Sequence, residues 1–330
     1  MSPLSPHQSS VSANAAVKPN QIQQRFPWLY AFWKFSRPHT IIGTSLSAIG
    51  VCLLAWAQQP EMELGNREVW LRIISTFLPP LFTCLCGNVY IVGLNQIEDV
   101  AIDRVNKPHL PLASGEFSRQ QAWAIVITTG CLALVLSLLQ GWFLVATVWG
   151  SLLIGTAYSL NPIRLKRFPF WAALCIFSVR GAIVNLGLFL HFNQQLGGIP
   201  QVPATVWALT LFILVFTFAI AILKDIPDLE GDKRYHITTF TIRLGATAVF
   251  KLARTVLSFC YLGMMVAGLK LPNVNPLFLI SSHLLILILL WWRSLKVDLH
   301  SKAEIARFYQ FVWKLFFLEY LMFPAACLLS

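Results

Sequence analysis

Apolar residues run along this chain in nine long stretches, each bounded by charged or turn-forming residues: His39–Ala57, Arg72–Asn95, Gln120–Leu139, Trp142–Leu160, Phe170–Phe192, Ala204–Ile222, Ala246–Leu269, Pro276–Trp292 and Phe308–Leu329. Roughly 20 mainly apolar residues suffice for a helix to cross the hydrocarbon core of a bilayer, so the pattern predicts nine transmembrane helices. The third and fourth stretches are separated only by Gln140 and Gly141, which predicts a tight helical hairpin. Residues 1–25 are rich in Ser, Gln, Asn and Pro and read as a disordered polar tail. Residues 26–330 then form a single polytopic membrane domain. Within it FPWLYAFWKFSR, residues 26–37, mixes aromatic side chains with Lys34 and Arg37, as suits a helix lying at the membrane interface.

Composition excludes the soluble alternatives. Of 330 residues, 56% are hydrophobic and only 12% are charged, against about 25% charged in an ordinary soluble domain. The 24 Phe and 12 Trp do not suit a disordered chain, and the 7 Cys are scattered singly rather than as a disulfide framework. They read as small core residues. A formal net charge of +11 would suggest nucleic acid in a soluble protein. Here it follows the positive-inside rule instead: 21 of the 25 Lys and Arg fall in alternate loops and 3 in the others, with Arg180 left inside a span. That asymmetry puts the N-terminus inside, the C-terminus outside, and no nucleic acid among the partners.

Half of the 14 acidic residues occupy two short stretches at the inside ends of the second and sixth spans: Glu98, Asp99 and Asp103, then Asp225, Asp228, Glu230 and Asp232. Asn95, Asp99 and Asp103 recur every four residues, and Asp225, Asp228 and Asp232 follow at i, i+3 and i+7, so each set shares one helical face. Like charges on one face repel. Hard carboxylate and amide oxygens invite Mg²⁺ or Ca²⁺, and Mg²⁺ commonly bridges carboxylates to a substrate's phosphates. We therefore expect Asp99, Asp103, Asp228 and Asp232 to be essential for catalysis. Asn95 and Asp225 would complete two metal-binding walls. Asp228 follows Asp99, and Asp232 follows Asp103, at one offset of 129; the same offset relates Lys224 to Asn95 and Lys233 to Arg104. This has the look of a duplicated half-site. The adjacent cations Arg104, Lys107, Lys224 and Lys233 are candidates to meet a diphosphate, whereas Glu230 points away from the three-Asp face.

The segments that carry these acids, GLNQIEDVAIDRVNKPHLPLASGE and KDIPDLEGDKRYHITTFTIRLG, resemble the two aspartate-rich motifs of UbiA-type membrane prenyltransferases. FSRPHTIIGT, GTAYSLNPIRLKRF, VRGAIVNLG and FYQFVWKLFFLEY resemble the branch of that family that acts on homogentisate. The resemblance implies nine helices around a central cavity, capped by the loops after the second and sixth spans. It implies Mg²⁺ as cofactor, phytyl diphosphate as donor and homogentisate as acceptor, with loss of diphosphate and CO₂ on the route to tocopherol. Solanesyl or geranylgeranyl transfer in the same branch is the alternative; LPLASGE leans toward phytyl. Lys224, where chlorophyll synthases usually carry Asn, argues against chlorophyllide as acceptor. The loop holding Tyr158, Arg164 and Lys166 meets the diphosphate in that family. The setting would be a cyanobacterial thylakoid or plasma membrane, or a plastid membrane.

Arg180 is the one basic residue in the middle of a span, where a charge is costly and functional by default. It is the candidate to hold the acceptor's carboxylate, with Asn185 one turn on; the alternative is a structural pair with Glu319. A secondary transporter would carry its acids in mid-span, and the D-G-x-x-A-R of CDP-alcohol phosphatidyltransferases does not occur between these aspartates.

Overall fold

The computed structural model describes residues 24–59, 67–234 and 238–330. The polar tail expected over 1–25 thus lies outside the described residues as far as residue 23, and so do residues 235–237 of the second acidic segment. Regular structure among the described residues is helical throughout. In chain order the helices are α1 (Pro27–Phe35), α2 (Pro38–Ala57), α3 (Arg67–Glu98), α4 (Val100–Asn106), α5 (Pro111–Ser114), α6 (Arg119–Leu138) and α7 (Trp142–Ser159). They continue with α8 (Phe170–Gln195), α9 (Ala204–Lys224), α10 (Leu229–Arg234), α11 (Phe240–Leu244), α12 (Ala246–Gly268), α13 (Pro276–Leu295) and α14 (Lys302–Leu328). Nine of these, α2, α3, α6, α7, α8, α9, α12, α13 and α14, are long and apolar enough to cross a membrane. They are the nine expected.

Local chemistry explains the boundaries. The α6–α7 hairpin turns at Gly141, whose φ of 110° is open to glycine at no steric cost. Ser118 and Gln121 close a capping box at the start of α6. The final helix starts at Lys302, six residues before the apolar stretch Phe308–Leu329. Its first turn is polar and capped by Ser301, which accepts the Glu304 N–H, a start that hydropathy alone does not register. Helix α8 carries a π-helical segment over Phe177–Ile183, a distortion that hydropathy does not register either and that is common at functional sites.

The long helices close into a ring. α2 packs on α3, α8 and α14; α3 on α6 and α7; α7 on α8; α8 on α9; α9 on α12; and the α12–α13–α14 run returns to α2. In a bilayer such contacts rest on close backbone approach. At Gly50 of α2 a Cβ would lie 2.3 Å from the Tyr320 carbonyl oxygen of α14, so only glycine permits that crossing. Helix α1 turns Ala31 and Phe35 inward and leaves Trp28, Leu29 and Trp33 exposed, as an interfacial helix should. Lys34 near its end pairs with Glu116. Five of the seven cysteines are buried; Cys84 is half-buried and Cys131 exposed, so the expectation of core cysteines holds for most of them.

Alternation of nine spans brings the C-terminal ends of α3, α7, α9 and α13 to one membrane face. Single cysteines introduced over 98–119, 161–169 and 225–245 should all react with an impermeant thiol reagent from the same side, and a cysteine at Gln140 from the other. Labelling of any one of these loops from the Gln140 side would overturn the arrangement.

Candidate active site

The first acidic segment breaks regular helix at Asp99, whose backbone lies at φ −108° and ψ 14° between α3 and α4, yet hydrogen bonds of helical spacing bridge the junction. The Asp99 N–H donates to the Asn95 carbonyl (3.0 Å), Asp103 N–H to Asp99 (2.8 Å) and Lys107 N–H to Asp103 (2.7 Å). Asn95, Asp99, Asp103 and Lys107 therefore lie in successive turns, as their spacing requires. In the second segment the helix ends at Lys224 and residues 225–228 form a turn. The Asp232 N–H then donates to the Asp228 carbonyl at 3.1 Å to open α10. Asp228 and Asp232 thus share a helical face while Asp225 precedes it, and the expected continuous three-residue face is broken by the turn.

The turn after α4 joins the two segments. Lys107 Nζ lies 2.8 Å from Asp228 Oδ2, and the Gly231 N–H donates to Asn106 Oδ1 at 3.1 Å. A Cβ at Gly231 would come within 2.2 Å of that same oxygen, so a larger residue there would turn the Asn106 amide away from this hydrogen bond. Two sites 129 residues apart in sequence thereby become facing walls of one mouth.

Cations from three further elements converge on these walls. Asp99 is held by Arg164 Nη2 (3.1 Å) and Lys166 Nζ (2.7 Å) from the loop after α7. Arg37, at the start of α2, reaches Asn95 Oδ1 (3.4 Å) and Asp103 Oδ2 (3.8 Å). Lys224 Nζ stands 3.8 Å from Asp225, and Tyr158 lies in the electrostatic reach of Lys224, Asp99 and Asp225. Burial pushes the Asp103 and Asp225 carboxyls above the usual carboxylate range. Burial, reinforced by Asp228 and Asp225, pushes Asp232 up to about 6. Burial also lowers the Lys166 ammonium, against the pull of Asp99. These charges are held short of water, so the mouth favours a further cation among the acids and an anion among the bases.

Not every candidate is gathered in. Arg104 and Lys233 are exposed and make no ion pair among the described residues. Each directly follows an aspartate of the cluster, and one residue turns a helix by about 100°, off the acidic face. Glu230 is exposed, as expected. Arg37, which in the sequence is only one more inside charge, joins the site through Asn95 and Asp103.

Among the described residues no three His, Cys, Asp or Glu side chains cluster tightly enough to hold a metal alone. Mg²⁺ is usually held by one or two carboxylates together with waters and substrate phosphates. The donor set is all oxygen, and Asp103 Oδ2 is buried without a hydrogen-bond partner, so the residues present fit that ion.

Deeper in the bundle lies a cavity of about 170 Å³. Its wall is mostly apolar, with hydroxyl and amide groups of Thr40, Thr44, Ser47, Asn88 and Ser151 and the guanidinium of Arg180. Arg180 sits in the π segment of α8, 4.8 Å over the Trp313 ring and 5.6 Å over Phe316. Its Nη1 is buried without a hydrogen-bond partner. The alternative pairing with Glu319 does not occur: Glu319 instead meets His283 at 3.3 Å, both fully buried. Asn185 is buried beside the cavity and accepts a hydrogen bond from Tyr320 (2.9 Å), which does line it. Tyr309 lies within electrostatic reach of Lys224, Arg180 and Asp228, and His39, edge-on to Trp313, within that of Arg37, Arg180 and Lys107.

Residues 44–315 match the model of the UbiA prenyltransferase family. The chain is 53% identical over 300 residues to homogentisate phytyltransferase of Synechocystis sp. (strain ATCC 27184 / PCC 6803 / Kazusa), covering 90% of this chain and 96% of that one. It is 39% identical over 331 residues to the chloroplastic homogentisate phytyltransferase 1 of Arabidopsis thaliana, covering 96% of this chain and 82% of that one. The fold is similar to a UbiA homolog from Archaeoglobus fulgidus solved with GPP and Mg²⁺, with a TM-score of 0.59 at 17% identity, covering 89% of this chain and 99% of that one.

Proposed function

The chain belongs to the UbiA prenyltransferase family, and from that premise we propose that it transfers phytyl from phytyl diphosphate to homogentisate, with release of diphosphate and CO₂. The reading rests above all on one arrangement: two acidic walls docked through Lys107 and Asp228, and a largely apolar cavity lined by Arg180, whose Nη1 has no hydrogen-bond partner among the described residues.

In this reading Asn95, Asp99 and Asp103 on one wall and Asp225, Asp228 and Asp232 on the other hold Mg²⁺. Bound there, the ion supplies the positive charge that makes diphosphate a competent leaving group. Lys107, Arg164, Lys166 and Lys224, each already beside a carboxylate, turn to the phosphate oxygens as the donor enters. The phytyl chain lies along the apolar interior. Cleavage of its C–O bond leaves an allylic cation, and the apolar walls keep water from quenching it. Arg180 holds the acceptor's carboxylate, and Asn185 fixes the Tyr320 hydroxyl at the cavity wall. A ring carbon of homogentisate supplies the electron pair for the new C–C bond, and the ring proton leaves. Loss of CO₂ from the acetate arm, with uptake of a proton, leaves the methyl group of the quinol product.

The test is product analysis of the purified protein given homogentisate and an equimolar mixture of labelled phytyl, geranylgeranyl and solanesyl diphosphates. The phytylated methylquinol should predominate. A solanesyl or geranylgeranyl product in excess would overturn the donor assignment, and retention of the carboxyl group in the product would overturn the decarboxylative route.

A further inference from the structure

The lipid-facing side of the α13–α14 hairpin carries a groove of about 580 Å³ that shares no residue with the catalytic mouth or its cavity. Leu289, Trp292 and Arg293 of α13 line one side, and Arg307, Phe311 and Lys314 of α14 the other. The two faces of α14 thus differ: Trp313 and Phe316 look inward to Arg180, while Arg307 and Lys314 are exposed. Nine alternating spans put this groove on the same membrane face as the acidic mouth.

The charge in the groove is unbalanced. Arg307 has one partner, Glu304 at 3.4 Å, in an exposed i,i+3 pair of little strength. Arg293 and Lys314 make no ion pair among the described residues. Lys314 also lies six residues past the start of the apolar stretch at Phe308, about 9 Å along the axis at 1.5 Å per residue. Further along the same face the exposed residues are Leu318 and Leu321, so Lys314 marks the deepest polar point of that surface. An ammonium at such depth is costly without a counter-charge. Snorkelling toward the surface relieves this only partly, because the route leads to Arg293 and Arg307, two more positive charges.

An anion resolves the conflict, and the rest of the groove fixes its kind. Leu289 and Trp292 are 40% and 53% exposed, and Lys296 lies 4.0 Å over the Trp292 ring. Exposed Leu285 and Ile288 continue the apolar surface up α13. A headgroup held by three cations would thus have an apolar track for acyl chains beside it. We propose that this groove binds an anionic glycerolipid of the bilayer, its charged headgroup on Arg293, Arg307 and Lys314 and its acyl chains along Leu289 and Phe311. The inference is independent of the prenyl donor and acceptor.

Native mass spectrometry of the full chain, released from bilayers of equal phosphatidylglycerol and phosphatidylcholine, tests it. Phosphatidylglycerol should be retained in preference. Arg293→Gln and Lys314→Gln should each lower that preference about fivefold, the worth of one basic residue near a membrane surface, while Lys314→Arg keeps it. Prenyl transfer in phosphatidylcholine alone should be unchanged in these variants. If Lys314→Gln unfolds, Arg293→Gln and Lys314→Arg still decide. Equal retention of the two lipids, or unchanged preference in Arg293→Gln, overturns the proposal. So does loss of the bound lipid to millimolar inorganic phosphate, which would mark a site for a free anion.

Discussion

Asp99→Ala and Asp228→Ala should each lower turnover by at least about a hundredfold, since even groups that only support a metal's ligands are worth 10–100-fold, while the protein still inserts and purifies as a helical membrane protein. The expectation rests on what each carboxylate touches. Asp99 faces Arg164 and Lys166, and Asp228 faces Lys107. Removing either takes one oxygen donor from a wall and also frees cations that the carboxylate aims at the mouth. A purely structural ion pair on these caps would behave differently. Its loss would lower the melting temperature and leave the Mg²⁺ requirement unchanged. The deciding measurement is therefore turnover against Mg²⁺ concentration for Asp99→Asn and Asp228→Asn, which keep the size of the side chain. Half-saturation should move to higher Mg²⁺ in both. Glu230→Gln, Arg104→Gln and Lys233→Gln, at exposed positions, should stay close to the parent enzyme. EDTA should abolish activity and added Mg²⁺ restore it; undiminished turnover in EDTA would refute the metal assignment.

The one-face spacing of Asn95, Asp99 and Asp103 was legible because a helix repeats every 3.6 residues, and hydrogen bonds of helical spacing bridge the break at Asp99. The turn over 225–228, which separates Asp225 from the face of Asp228 and Asp232, has no signature in that spacing. The nine spans were legible because lipid demands length and hydropathy and little else. Contacts between distant segments were not. Nothing local couples Lys107 to Asp228 or Asn106 to Gly231, 121 and 125 residues apart; only the shared offset of the two motifs hinted that they face each other. That offset also misled, since it made Arg104 and Lys233 equivalent and left unsaid that both turn outward. Arg37 was hidden by a rule that explains any basic residue at an inside helix end equally well. The π segment around Arg180 has no signature in hydropathy, so the sequence could place the arginine in mid-span but could not choose between Glu319 and the cavity as its partner.

That choice carries the other large expected effect. Arg180→Lys should raise the KM for homogentisate about tenfold or more, equivalent to about 1.4 kcal/mol or above, and leave the KM for phytyl diphosphate nearly unchanged. Arg180 is half-buried and stacked over Trp313 and Phe316, its buried Nη1 lacks a hydrogen-bond partner, and Glu319 is engaged by His283. A guanidinium left in this state is poised for an anion that arrives with the substrate. Homogentisate brings one, and its carboxylate cannot enter an apolar cavity unpaired. Lysine keeps the charge but loses the planar fork that grips both carboxylate oxygens and the flat face that stacks on the two rings. The penalty should therefore fall on the acceptor and not on the diphosphate, which is held at the mouth by other residues. An analogue of homogentisate lacking the carboxylate sharpens the reading, because the mutation should hardly alter its binding. A shift in the donor's KM instead would move Arg180 into the diphosphate site. Unchanged constants with a lower melting temperature in detergent would make the stacking on Trp313 and Phe316 its whole role.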